Sequence, residues 1–396
     1  MNFVFVSPQF PATYWNFCDR LRQRGVNVLG LGDTPEFDIA PELRRALNEY
    51  YWVPSLESYA DDFRALAYFS WQHGKIDWIE SNNEYWLPID ARLRDDFHVT
   101  TGASAAQMAR WQSKADMKPL YAAGGVPTAR QIRDDSLDEA RGFAWEVGYP
   151  LFAKPERGVG SGGARKLADE AALEAFFASE RDERYVIEEY VTGDICSYDA
   201  ILDSHGEPLF ENQNEFPPSM AEVVEKQLDC VYHTRPTVDP KLAALGRAAA
   251  KGFGLTSRFV HMEFFRLSEA KPGLGEAGDY VGLEVNVRPP GGYTPDMMNF
   301  AHSTDVYTIW ADMVVSDRRL LPDNDDLYFC CYVGRRDGRA YAHSHEEIWE
   351  RYGDRIVMCD RIPDALADDL GNQMYMARLR TDEERLEYEQ FVTERA

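Results

Sequence analysis

The stretch 151–166 reads LFAKPERGVGSGGARK, and the fold turns on what its glycines are for. Gly158, Gly160 and Gly163 spell G-x-G-x-x-G, a pattern shared by dinucleotide-binding turns and kinase phosphate loops. A dinucleotide turn runs from a strand straight into the glycines and on into a helix. Here Lys154-Pro155-Glu156-Arg157 intervenes, and a polar ARKLAD follows. A Walker A loop needs Lys-Ser/Thr where Ala164-Arg165 stands, and no H-R-D or D-F-G occurs downstream. What remains is Lys154 at a strand end, then a Gly/Ser loop whose backbone N–H groups can close over a polyphosphate. Taken alone, the stretch reads better as an exposed hairpin with an incidental lysine.

Support comes from FVHMEFFRL (259–267) and YVGLEVNVRPPGG (280–292), which flank a Gly/Pro-rich turn. Val281, Leu283, Val285 and Val287 alternate with Gly282, Glu284, Asn286 and Arg288, so one face is apolar and the other polar. In the partner strand Glu263 shares a face with His261 and Phe265. A turn centred near Gly273 and Leu274 sets Glu263 opposite Glu284. Two such carboxylates ~5 Å apart, at an effective dielectric of about 20, repel by roughly 3 kcal/mol. A divalent cation between them reverses the sign. Oxygens from Glu263, Glu284 and Asn286 suit magnesium, or manganese.

The rest of the chain bounds this reading. Its 396 residues suffice for two or three domains, and 44% hydrophobic with 28% charged residues is ordinary for a globular protein. Sixty-seven acidic against 42 basic residues, net −25, argue against unspecific binding to nucleic acid or anionic membranes. The six cysteines lack C-x-x-C or zinc-ligand spacing, and with no basic leader the expected location is cytoplasmic. NFVFVS (2–7), VNVLGL (26–31) and IDWIES (76–81) read as buried strands around a helix at 14–24, predicting a parallel sheet. SPQFP in the first turn lacks the dinucleotide glycines, so this unit is Rossmann-like in pattern only. A helix is predicted over about 103–122, another near 170–178, a strand at 185–191 and a helix at 239–255. Residues 211–234 read as irregular, and 320–396 as a strand, LYFCCYVG, plus a charged helical tail.

In order, QSKADMK with Lys114, FAKPERGVGSGG with Lys154, VIEEYVTGD with Glu188 and Glu189, and HMEFF…GLEVNVRPPGG resemble the ATP-grasp superfamily over most of the chain. The resemblance implies an α/β protein. Residues 1–105 would form a Rossmann-like pre-ATP-grasp domain and 106–315 the ATP-grasp domain, with a small lid at about 125–190. Residues 316–396 would complete the C-terminal α+β part. It further implies that Lys114, Lys154 and the loop residues Gly160, Ser161 and Gly162 hold ATP phosphates. The strand Glu188–Val191 would meet adenine, Glu188 or Glu189 lying near its amino group or the ribose. Glu263, Glu284 and Asn286 would bind Mg2+ or Mn2+, and Arg288 would hold the substrate carboxylate and its acyl phosphate. Two positions after Gly193 the family often has an acid where Ile195 stands, which leaves Asp194 as the neighbouring carboxylate for the ribose.

The loop and E-V-N-V-R-P-P-G-G look most like the carboxylate–amine ligases, including amino-acid ligases. The implied reaction makes an amide through an acyl phosphate and releases ADP. Small-molecule carboxylate and amine substrates are the implied partners, without nucleic acid or membrane, and a homodimer is left open. The alternatives are a bicarbonate-activating enzyme of the carboxylase or carbamoyl-phosphate synthetase type and a catalytically silent ATP-binding regulator. ESNNEYW (80–86), Asp199, the 211–234 segment with His233, and Tyr293 could all face the substrate pocket, but surface loop or core packing is the better reading of each.

Overall fold

The computed structural model describes residues 1–158 and 163–396, and among these three sheets are formed. In the first, β1 (Asn2–Val6), β2 (Asn27–Gly32), β3 (Glu49–Trp52) and β4 (Trp78–Glu80) run parallel in the order β3-β2-β1-β4. Both faces are buried, as parallel strands require. Phe3 and Phe5 pack with Phe17 and Trp310, while Val4 and Val6 pack with Leu66 and Phe69. Trp310 belongs to the later helix Val306–Ser316, so one face of this sheet rests on the rest of the protein. Arg24 Nε to Asp312 Oδ1, 2.6 Å, fastens the same junction.

The second sheet is antiparallel, β5 (Gln131–Arg133), β6 (Leu151–Pro155), β7 (Arg165–Leu167) and β8 (Tyr185–Glu189) in the order β5-β8-β6-β7. The helices Leu137–Val147 and Glu170–Ala178 cover one face, burying Phe143, Leu173 and Phe176 against Leu151 and Ile187. The glycine loop joins β6 to β7. Its residues 159–162, including the predicted Gly160, Ser161 and Gly162, lie outside the described residues.

The third sheet holds β9 (Gly193–Leu202), β10 (Pro208–Phe216), β11 (Cys230–Thr234), β12 (Arg258–Leu267), β13 (Tyr280–Asn286), β14 (Phe329–Arg335), β15 (Ile356–Arg361) and β16 (Gln373–Leu379). Their order is β13-β12-β9-β10-β11-β14-β16-β15, so residues after 316 extend the sheet that carries the predicted metal strands.

Three expectations are corrected. Residues 211–234 are not irregular: they hold most of β10, the helix Met220–Glu225 and β11. Their polar residues point inward instead of breaking the ladder. Asn212 and Asn214 donate to Asp199 Oδ2 at 3.0 and 2.6 Å, and Thr234 donates to Asn214 at 2.6 Å, all fully buried. The helix expected over 103–122 is two, Ala105–Trp111 and Lys114–Ala123, because the Ser113 side chain caps the second by accepting from Asp116 N–H. The tail after 320 carries two strands more than the one expected, β15 and β16.

The helix Lys114–Ala123 is held at backbone contact. A Cβ on Gly252, in the helix Pro240–Phe253, would lie 2.4 Å from the Leu120 carbonyl oxygen, and one on Gly124 would lie 2.3 Å from the Ala248 oxygen. On its other side, a Cβ on Gly282 of β13 would lie 2.6 Å from the Tyr121 ring. Those small residues let the helix lie directly against the strand bearing Glu284.

Candidate active site

The strands β12 and β13 are antiparallel neighbours, with Glu263 opposite Glu284 and His261 opposite Asn286. The register is the one the alternation predicts. A bulge between Glu263 and Phe264 skips Leu283, however, and reverses the alternation beyond it. Val281 therefore leaves the Tyr280, Val285 and Val287 face and joins Ala129, Val191, Leu267 and the partly buried Phe265 and Leu274. This apolar patch lies between the ends of the second and third sheets and is suited to an aromatic base.

Each carboxylate has a cationic neighbour. Glu284 Oε1 is 3.2 Å from Lys114 Nζ, and Glu263 Oε1 is 3.4 Å from His261 Nε2. Burial raises the Glu284 pKa and Lys114 lowers it, but Glu263 raises it again, and the net is a carboxyl above its ordinary range. For Glu263 burial acts upward too, yet His261 outweighs it and the carboxyl sits below its ordinary range. Burial alone would depress His261. Its Nδ1 lies 2.6 Å from Asp199 Oδ1, and the pair, helped by Glu263, lifts the imidazole to about 9. Asp199 is held by Ser197, Asn212 and Asn214, so the polar interior of β9 and β10 orients the group beside Glu263.

Lys114 opens its helix, and its Nζ also donates to the Gly158 carbonyl at 3.3 Å. Its backbone N–H donates to Glu156, and Ser113 Oγ donates to Glu156 Oε1 at 2.7 Å, tying the end of β6 to the helix start. Lys154 Nζ lies 2.8 Å from Glu188 Oε2, and Lys118 Nζ lies 2.7 Å from Glu188 Oε1. Burial pushes the Glu188 pKa up, but the two lysines outweigh it and hold it low. Burial dominates at Lys118 and depresses its ammonium.

Glu189 points the other way from its neighbour, as strand alternation demands. It accepts from the Arg130 backbone at 2.8 Å and guanidinium Nη2 at 2.9 Å. Both carboxylates of this strand are thus engaged, which leaves backbone groups to meet a base. Asp194 is not brought to them: its side chain is 64% exposed, and its one charge partner among the described residues is Arg266, at 3.2 Å. It lines a separate cleft of 390 Å³ with Glu215, His233 and Arg385.

Arg288 donates Nε to Glu84 Oε2 at 3.2 Å and Nη2 to Asn286 Oδ1 at 3.5 Å. Glu84 comes from the segment after β4, so the N-terminal part of the chain contributes a side chain to the same site. Among the described residues no three His, Cys, Asp or Glu side chains converge as metal ligands. A cation here would meet two carboxylates and the Asn286 oxygen. That all-oxygen set, with one carboxyl pushed toward its protonated form by burial and then by its neighbour, fits Mg2+ or Mn2+.

Lys118 and the bulge-turned Val281 escape the sequence reading, whereas Glu84 lies in the ESNNEYW stretch that it favoured as loop or core. Lys118 had a signal: it lies four residues after Lys114, on the same helical face. Glu84 and Arg288 are 204 residues apart, beyond any local pattern.

No family model matches the chain. It is 29% identical over 217 residues to the D-alanine–D-alanine ligase of Streptomyces avermitilis, covering 50% of this chain and 54% of that one. The chain spans about half the length of such curated relatives. The structure resembles the L-amino acid ligase from Bacillus licheniformis, with TM-score 0.68, 13% identity, and 98% and 96% of the two chains covered. It also resembles an N5-carboxyaminoimidazole synthetase from Staphylococcus aureus solved with ADP, with TM-score 0.66, 14% identity, and 99% and 96% covered. Both share the α/β architecture of this chain. The chain has the ATP-grasp fold. No helix among the described residues is long and apolar enough to cross a membrane.

Proposed function

We propose that the protein is an ATP-dependent carboxylate–amine ligase that joins two small molecules through an acyl phosphate and releases ADP and phosphate. The observation that carries this reading is the convergence of Glu263, Glu284, Asn286 and Arg288 beside Lys114 and Lys154. The likeness to D-alanine–D-alanine ligase supports it.

Lys114 and Lys154 bind and orient the nucleotide phosphates, and the apolar patch around Val191 and Val281 takes the base. Glu263, Glu284 and Asn286 would hold Mg2+, which when bound would neutralise phosphate charge. Arg288 presents a planar fork to the substrate carboxylate, its angle set by Glu84. A carboxylate oxygen attacks the γ-phosphorus and ADP departs, which replaces an oxide leaving group with phosphate. The amine then attacks the acyl carbon, phosphate departs, and the nitrogen loses a proton. The sheet of β5 to β8, which carries Lys154 and Glu188, would help to exclude water from the intermediate.

The test is an ADP-release screen of amino acids and other carboxylates paired with amines, beside melting curves with MgATP and with NADH. MgATP should stabilise the protein in proportion to its binding, NADH should not, and ADP release should require both substrates. Stabilisation by NADH, or none by MgATP, counts against the reading.

A further inference from the structure

Glu188 is gripped at both oxygens, by Lys154 from its own sheet and by Lys118 from the helix that begins at Lys114. The three side chains are largely buried, so their charges act with little screening by water. A lone Lys154–Glu188 pair would be neutral, and its ammonium would be committed to a carboxylate that is part of the site. Lys114 is likewise opposed by Glu284. Around Glu188, two lysines against one carboxylate leave one positive charge in surplus, where Lys154 alone would leave none.

We propose that Lys118 is a positioning residue of the nucleotide site. By sharing Glu188 it leaves donors of Lys154 free for phosphate, and it supplies the surplus charge that draws the nucleotide in. This rests on the ATP-binding reading above. The competing role is that of a counter-ion that merely lets Glu188 be buried.

The experiment is calorimetric titration of the whole chain with MgADP for wild type, Lys118→Met, Lys118→Arg and the double variant Lys118→Met/Glu188→Gln. Melting curves establish that each is folded. Absence of binding by the wild type overturns the ATP reading itself and so is distinct from failure of this inference. Given wild-type binding, Lys118→Met should weaken MgADP roughly tenfold to a hundredfold, the worth of one charge-assisted contact. Lys118→Arg should stay within about threefold, since it keeps the charge. The double variant should recover most of the loss, because Lys154 is no longer opposed by a carboxylate. A counter-ion role predicts a lower melting temperature with unchanged affinity. Unchanged affinity in folded Lys118→Met, or a further loss in the double variant, overturns the proposal. Should Lys118→Met not fold, Lys118→Gln, which can still hydrogen-bond Glu188, replaces it in both arms with the same criteria.

Discussion

Glu284→Gln and Glu263→Gln should abolish ligase activity alike but move the stability of the ligand-free protein in opposite directions. Three contributions meet at Glu284. Repulsion from Glu263 costs roughly 3 kcal/mol at ~5 Å and an effective dielectric of about 20. Attraction to Lys114 at 3.2 Å returns roughly 5 kcal/mol on the same footing. Desolvating the carboxylate costs several kcal/mol more. The balance disfavours the charged form, in agreement with the raised pKa. Glu284→Gln should therefore leave the ligand-free protein within about 1 kcal/mol of wild type, on the stabilised side, or about 2 °C in Tm. Glu263 is favoured as a carboxylate by His261, so Glu263→Gln should lower the ligand-free Tm. Wild type at a hundredfold excess of MgATP over its Kd should gain about 2.7 kcal/mol, and both variants should lose most of that gain. The assay is a set of melting curves with and without MgATP beside ADP release. A destabilised Glu284→Gln protein that still gains stability from MgATP and still turns over would refute the metal assignment.

Arg288→Lys should lower kcat at least tenfold while leaving the Kd for MgATP nearly unchanged, because a point charge cannot replace a two-pronged grip; loss of ATP binding with full kcat would reassign Arg288 to the nucleotide. Burial raises the Asp296 pKa from 3.8 to about 7. The folded protein thus keeps a proton that the unfolded chain releases, a contribution present below pH 3.8 and lost as pH rises to about 7. Asp296→Asn should remove that decline, worth up to about 4 kcal/mol, and be the more stable protein at pH 8 by chemical denaturation; parallel stability–pH profiles would contradict the assignment. Gly252→Ala should destabilise by about 1–3 kcal/mol and reduce ADP release, because its methyl group would have to push the Leu120 carbonyl and the lysine helix away; an unchanged Tm would show that the helices separate freely.

What was legible in the sequence followed strict local rules. Alternation along 280–288 and the position of one turn were enough to set Glu263 against Glu284, because strand period and hairpin register are short-range properties. The bulge at Leu283 was not legible, since an extra residue in one strand leaves no compositional mark, and it alone moves Val281 to the site face. The 211–234 segment misled for a different reason. Asn212, Asn214 and Thr234 resemble loop residues until Asp199 and Ser197 on the neighbouring strand satisfy them. The break at Ser113 carried a readable cap, whereas the Glu84–Arg288 pair depends on how the first sheet seats on the third.

The helix that carries Lys114 and Lys118 touches its neighbours main chain to main chain and ring to glycine, at Gly124, Gly252 and Gly282. A spacing set by peptide backbones has no adjustable part. Apolar side chains elsewhere in the interior can be exchanged for others of different shape, and the lysines keep their offset from the carboxylate strand. The spacing of these charged groups is thereby insulated from gradual change in the surrounding core. The same joint makes the three glycines intolerant of even one added carbon, so the molecule concentrates in three positions a sensitivity that most interiors spread over dozens.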